Sequence, residues 1–200
     1  YQYDGLDTCA VDGLCATSCP VDINTGDLVK RLRRESHSPF SNNMALFVSK
    51  NFYLVTVLVN FALEAGTLVN SLFGKNAMMK LTKAFKKLIP EFPLWSNQLI
   101  TSGAISGKYV KEIDLETKTG PAVVYFPTCI SRVMGGAPNK KSIPDSFLSV
   151  SEKSGIQVII PAGIEALCCG QLFSSKGYNM AYADKCNETI DKLWAVTKEG

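Results

Sequence analysis

Six of the seven cysteines fall into two groups, and the first group has a spacing that suits iron. It reads Cys9-Ala-Val-Asp12-Gly-Leu-Cys15-Ala-Thr-Ser-Cys19-Pro20. With Asp12 placed in register, the run is C-x2-D-x2-C-x3-C-P. A cubane iron–sulfur cluster presents iron at its corners. A short loop with two residues between donors can wrap it and aim one ligand at each iron. The three-residue step then leads towards a helix, and Pro20 fixes φ where its missing N–H does little harm. Metal ligation explains this register better than structural thiols in a reducing compartment do. Two readings of Asp12 stand open: a hard oxygen ligand for iron, or an ordinary turn residue before Gly13.

The second group is Cys129, in Phe126-Pro-Thr-Cys-Ile, with Cys168-Cys169-Gly170. Each part follows an apolar run that reads as a β-strand, Pro121–Phe126 (buried) and Ile156–Ile160. Between them a helix is expected from about Pro144 to Lys153, closed by Gly155. This is a βαβ unit, so the strands should be parallel and adjacent. Open α/β sheets hold ligands at the carboxyl ends of their strands, which predicts that Cys129, Cys168 and Cys169 gather there. Gly170 permits the sharp turn that adjacent ligands need. Gly135-Gly136 fits either a close approach to a cofactor or a flexible turn.

The rest of the chain must position these groups. A helix is expected over about Asp27–Glu35, capped by Asn24 or Thr25, with Leu28, Val29 and Leu32 as its apolar stripe. Lys30, Arg31, Arg33 and Arg34 would form a solvated basic face by default, with a docking site for an acidic partner as the alternative. His37 reads as a loop residue. Residues 44–73 read as helical with a break at Gly66, and Phe52–Leu63 as a buried core helix, the apolar run being too short to cross a bilayer. A basic amphipathic helix follows, from about Asn76 to Ile89, and then an extended connection to about Gly120. Its default reading is core on one side and water on the other, with an anionic membrane surface as the alternative. The last helix is expected over Tyr178–Thr197, with Cys186 as a small core residue on its apolar stripe.

At this point the residues resemble known families. The first run is similar to that of bacterial ferredoxins, with a carboxylate at its second position. That resemblance implies that Cys9, Asp12 and Cys15 serve one cluster and Cys19 another. The stretches Tyr-Phe-Pro-Thr-Cys129 and Cys168-Cys-Gly-Gln-Leu-Phe-Ser-Ser-Lys-Gly177 resemble the first half of the CCG, or cysteine-rich, domain of heterodisulfide reductases and glycolate oxidase iron–sulfur subunits. Together with Tyr1-Gln-Tyr-Asp-Gly-Leu-Asp-Thr-Cys9, they look like the C-terminal iron–sulfur portion of bacterial FAD-linked D-lactate dehydrogenases.

The resemblance implies an α/β chain in three parts: a ferredoxin-like helical segment over 1–38, a helical segment and connection over 39–120, and a truncated cysteine-rich domain over 121–200. It also implies 4Fe-4S clusters held by Cys9, Cys15, Cys19, Cys129, Cys168 and Cys169, with Asp12 open. FAD would sit in a flavin domain before Tyr1, and the rest of the cysteine-rich domain would follow Gly200. The start at Tyr1, without an initiator Met or a signal peptide, fits a segment of a longer protein. Electrons from a 2-hydroxy acid such as D-lactate would pass to a quinone or cytochrome. The expected location is cytoplasmic, extending to peripheral contact with the inner face of the cell membrane. The alternatives are a thiol/disulfide or non-cubane-cluster module and a structural zinc site. Hydrophobic content of 46% and charged content of 20% are those of a globular chain. A net charge of +3 excludes an argument for nucleic acid.

Overall fold

Side-chain caps decide where several of the helices begin. In the computed structural model, which describes residues 2–89, 92–98, 121–134 and 141–197, the chain is mostly helical with one two-stranded parallel sheet. The residues fall into two compact units, Tyr1–Phe52 with Leu167–Ala195, and Tyr53–Ala166 with Val196–Gly200.

In the first unit, a π-helical turn at Gln2–Asp7 leads into the cysteine loop and the single turn α1, Leu14–Thr17. Asn24 then opens α2, Thr25–Ser36: its side chain accepts from the Gly26 N–H at 2.9 Å and donates to Asp27 at 3.0 Å. Ser38 caps α3, Pro39–Lys50, by accepting from Ser41 N–H at 3.2 Å, with Pro39 in the first turn, where its ring fits. The same unit contains α8, Gln171–Lys176, and α9, Asn179–Val196 up to Ala195. Its core joins Ala45, Phe173 and Ala181, with Val48 and Tyr178 packed around them. Ser49, fully buried, reaches the Asp184 carboxylate at 2.5 Å, so a polar link crosses between α3 and α9. His37 lies at the end of α2, stacked on Tyr178 with ring centroids 4.0 Å apart and its Nε2 2.7 Å from the Lys176 carbonyl.

The basic face expected on α2 is corrected at one position. Lys30 pairs with Asp27 and Arg31 with Glu35 on the surface, but Arg33 is only 9% exposed. Its guanidinium donates to the carbonyls of Leu6, Cys9 at 3.0 Å and Ser175 at 2.5 Å. A planar fork with five donors can satisfy carbonyls that no helix or strand ladder reaches, which is why an arginine sits inside here.

In the second unit, α4 runs Phe52–Phe73 and α5 runs Ala77–Leu88. Two expectations about α4 fail. The break falls at Asn51, between α3 and α4, and Gly66 lies within the helix. A Cβ at Gly66 would stand 2.3 Å from Trp95 Cη2, so glycine is there to admit an indole and does not end the helix. Nor is α4 a buried core helix: only 17% of its most apolar window is buried. From Tyr53 on, Leu63 and Gly66 are buried, Val55, Ala65 and Val69 are half-buried, and the other apolar residues are exposed.

Strand β1, Ala122–Val124, pairs in parallel with β2, Gln157–Ile159, in the register Ala122↔Gln157, Val123↔Val158 and Val124↔Ile159. Between them come α6, Cys129–Val133, and α7, Ile143–Lys153, so the parallel pairing expected of a βαβ unit is present. The buried strand expected at Pro121–Phe126 is corrected: Ala122 and Val123 are exposed. A sheet of two strands has too few neighbours to cover both faces. Tyr125 stacks on Phe147 of α7 at 4.3 Å, and burial raises the pKa of its phenol. The connection expected to run to Gly120 lies, over 99–120, outside the described residues, as do Gly135 and Gly136.

Arg33→Ala should strip three carbonyls of their donor and lower unfolding stability by about 2–4 kcal/mol. Arg33→Lys should recover less than half of that, because one ammonium cannot span the fork. Urea unfolding midpoints check both, and an unchanged midpoint in Arg33→Ala would contradict the structural role.

Candidate metal-ligating cysteine loop

The loop of Cys9–Cys19 is shaped by backbone conformations that most residues avoid. Val11 is buried and has φ 60°, and Gly13 has φ 76°. A β-branched residue in the left-handed region costs about 1–3 kcal/mol and persists only where its surroundings hold it. Those surroundings are the first turn of α2: a Cβ on Gly26 would lie 3.3 Å from the Val11 Cα and 3.0 Å from Asn24 Oδ1. Gly26 therefore lets the loop cross the helix start closely.

That crossing brings Cys15 beside the N-terminus of α2. Its Sγ is 3.1 Å from the Thr25 hydroxyl. The Thr25 hydroxyl first, then the Thr25 backbone N–H, and further the Gly26 N–H hold the Cys15 thiol below its ordinary value. Cys19 is lowered too, chiefly by the backbone N–H groups of Ile23 and then Val21, against its own desolvation and the charge of Cys15. Helix starts and turns present unpaired N–H groups, and these favour the thiolate, the form that binds metal. Cys9 is half-buried, and Arg33 binds its carbonyl.

Asp12 is exposed, and its Oδ1 accepts the Leu14 N–H at 3.1 Å, the hydrogen bond of a turn-forming carboxylate. That bond is the one the turn reading calls for, and it occupies one of the two carboxylate oxygens.

Within the second group the cysteines differ. Cys129 is the first residue of α6 in the second unit, half-buried, and preceded by Thr128, whose hydroxyl accepts from Ser131 N–H at 3.2 Å. Cys168 and Cys169 belong to the first unit. Cys168 is 1% exposed, its carbonyl accepting from the Thr189 hydroxyl of α9 at 2.9 Å, whereas Cys169 is exposed. Gly170 takes the turn expected of it, with φ 78°, and a Cβ there would stand 2.7 Å from the Tyr182 ring.

Tyr182 was missed by the sequence reading. A hydrogen bond with Cys186, one helical turn on, raises its phenol pKa, as do the charge of Cys186, burial and the charge of Cys169. Cys186 is thus not only a core residue. The i,i+4 spacing of Tyr182 and Cys186 on a helix is the signal that could have revealed the pair.

Among the described residues, no group of three or more His, Cys, Asp or Glu side chains gathers where it could hold a metal ion. In donor chemistry the N-terminal loop still suits iron–sulfur ligation, with three thiols in one short run and two of them biased towards thiolate. No family model matches the chain, and no curated protein or solved structure matches it significantly.

A depressed thiol pKa means that the thiolate is populated at lower pH than for an ordinary cysteine. The pH profile for alkylation of Cys15 by iodoacetamide should accordingly lie below that of a free thiol. Thr25→Val should move the profile upwards, because the largest stabilising contact is lost. Peptide mapping after alkylation at a series of pH values reads this. An identical profile in Thr25→Val would show that the hydroxyl has no influence on Cys15.

Proposed function

We propose that this chain is the electron-transfer, iron–sulfur segment of an FAD-linked oxidoreductase that oxidises a 2-hydroxy acid, with D-lactate the substrate of the parent protein. The observation that carries this reading is the C-x2-D-x2-C-x3-C-P register combined with the two thiols, Cys15 and Cys19, held towards thiolate. Cys9, Cys15 and Cys19 are the proposed ligands in the N-terminal loop, and Cys129, Cys168 and Cys169 are the further proposed ligands. A 4Fe-4S cluster bound by such thiolates supplies one-electron carriage between a two-electron flavin donor and an acceptor such as a quinone or cytochrome.

The contributions of this chain are electrostatic and conformational. Thr25 and the first amides of α2 offset the negative charge of the Cys15 thiolate. Arg33, through the Cys9 carbonyl, holds the start of the loop. Asp12, as a turn residue, tightens the loop between Cys9 and Cys15. The flavin and hydride-transfer steps belong to the parent protein, whose proposed location is cytoplasmic.

Protein isolated without oxygen should contain iron and acid-labile sulfide, and Cys9→Ser, Cys15→Ser and Cys19→Ser should each lose them. Zinc without sulfide would favour a structural metal site, and unchanged iron in all three variants would sink the proposal. Residues 1–200 alone, supplied with FAD, should not oxidise D-lactate above a heat-killed control.

A further inference from the structure

Helix α4 carries an apolar stripe that nothing among the described residues covers. Leu54, Leu58, Phe61, Leu68 and Leu72 are 52%, 56%, 68%, 59% and 69% exposed. They recur at intervals of three, four or seven residues, so they share one face of the helix. The opposite face is the one in use. It carries the buried Leu63 and Gly66, with Trp95 packed against Gly66. Helix α5 is tied to the same tryptophan, because the buried Thr82 hydroxyl accepts from the Trp95 backbone N–H at 3.1 Å. The Asn70 side chain also accepts the Met78 N–H at 2.9 Å. The inner sides of both helices are thus occupied within one unit. An exposed stripe of this length, all leucine and phenylalanine, is larger than scattered surface apolar residues account for.

The charge of the neighbouring sequence says what covers it. Between Glu64 and Glu91 there are five lysines, at 75, 80, 83, 86 and 87, and no aspartate or glutamate. All five lysines are exposed. Leu81, Phe85 and Leu88, on a different face of α5 from Lys83, Lys86 and Lys87, are also exposed, at 46%, 43% and 80%. A second copy of this chain would bury the apolar stripe but add a second run of lysines and leave the like charge unanswered. A bilayer with anionic headgroups answers both features at once, taking leucine and phenylalanine at the acyl boundary and lysine at the phosphates.

We propose that α4 and α5 form a membrane-docking surface for anionic phospholipid, with the α4 stripe entering the interface and the α5 lysines binding the headgroups. The 22 residues of α4 give about 33 Å of helix, long enough to cross a bilayer. With Asn60, Glu64 and Asn70 off the apolar stripe, the helix suits a position in the plane of the interface. The proposal is independent of the redox reading, since it invokes no metal or cofactor.

The test is co-sedimentation of the whole chain with vesicles of phosphatidylcholine alone or with about one-third phosphatidylglycerol. Binding is expected to the anionic vesicles only and to weaken with salt. Lys80→Gln, Lys83→Gln and Lys87→Gln should each reduce the partition coefficient about fivefold at low salt. Leu58→Ser combined with Phe61→Ser should reduce it more than tenfold, while leaving circular dichroism unchanged because both side chains are exposed. Equal binding to both vesicle types, or full binding by the Leu58/Phe61 variant, would overturn the proposal. So would self-association in sizing experiments that the same variant abolishes without any vesicle binding, which would assign the stripe to a second copy.

Discussion

The first unit depends on a buried arginine with no carboxylate among the groups it is seen to bind. Taking a guanidinium out of water is costly, and a neighbouring acid is the usual remedy. Arg33 instead binds three backbone carbonyls, from Leu6, Cys9 and Ser175. Each carbonyl belongs to a stretch with no extended ladder of its own: the π-helical turn, the cysteine loop and the end of a six-residue helix. One side chain thereby joins the approach to Cys9, the body of α2 and the C-terminal part of the chain. The close approach of Gly177 has the same effect, since a Cβ there would lie 2.7 Å from the Arg34 backbone nitrogen. Position 33 is fixed from both directions.

That anchoring explains how a loop can be strained and yet defined. Val11 in the left-handed region and Gly26 under it are compatible only if α2 and the loop keep their spacing, and Arg33 acts on the loop two residues upstream of Val11. The electrostatics of Cys15 follow from the same contact, because the Thr25 hydroxyl and the first amides of α2 reach the thiol only when the loop crosses the helix start. Structure and thiol chemistry share one cause here. The second unit solves a different problem: its helices bury one side around Trp95 and leave the other side apolar or basic.

Much of the fold could be read from residue patterns, for identifiable reasons. Asn24 and Pro144 mark helix starts through a cap and a fixed φ, signals that act within four residues and so survive without tertiary information. The parallel strand pair was legible because two short apolar runs flank a helical pattern. What could not be read was which side a residue would face. Arg33 sits in a row of basic residues, and only the carbonyls of Leu6, Cys9 and Ser175, distant in sequence, draw it inwards. Gly66 looks like a helix breaker until Trp95 is placed against it. Helix α4 is apolar enough for a core, and composition alone does not tell a core from an outward-facing stripe. In the candidate site, the run of thiols and its spacing were legible, whereas the turn bond of Asp12 and the Tyr182–Cys186 pair depend on how the chain folds.

The first unit is discontinuous, since residues 53–166 intervene between its two parts. A ribosome makes a chain in one direction, and 142 residues separate Arg33 from its partner Ser175. At about 5–20 residues per second, the cysteine loop emerges roughly 7–30 s before the segment that completes its anchor is made. During that interval the second unit, which is nearly continuous in sequence, can fold first. The thiols of Cys9, Cys15 and Cys19 meanwhile wait on an unfinished scaffold, open to whatever delivers or oxidises at thiols. The order of synthesis thus leaves a time window in which the loop is reachable but not yet locked.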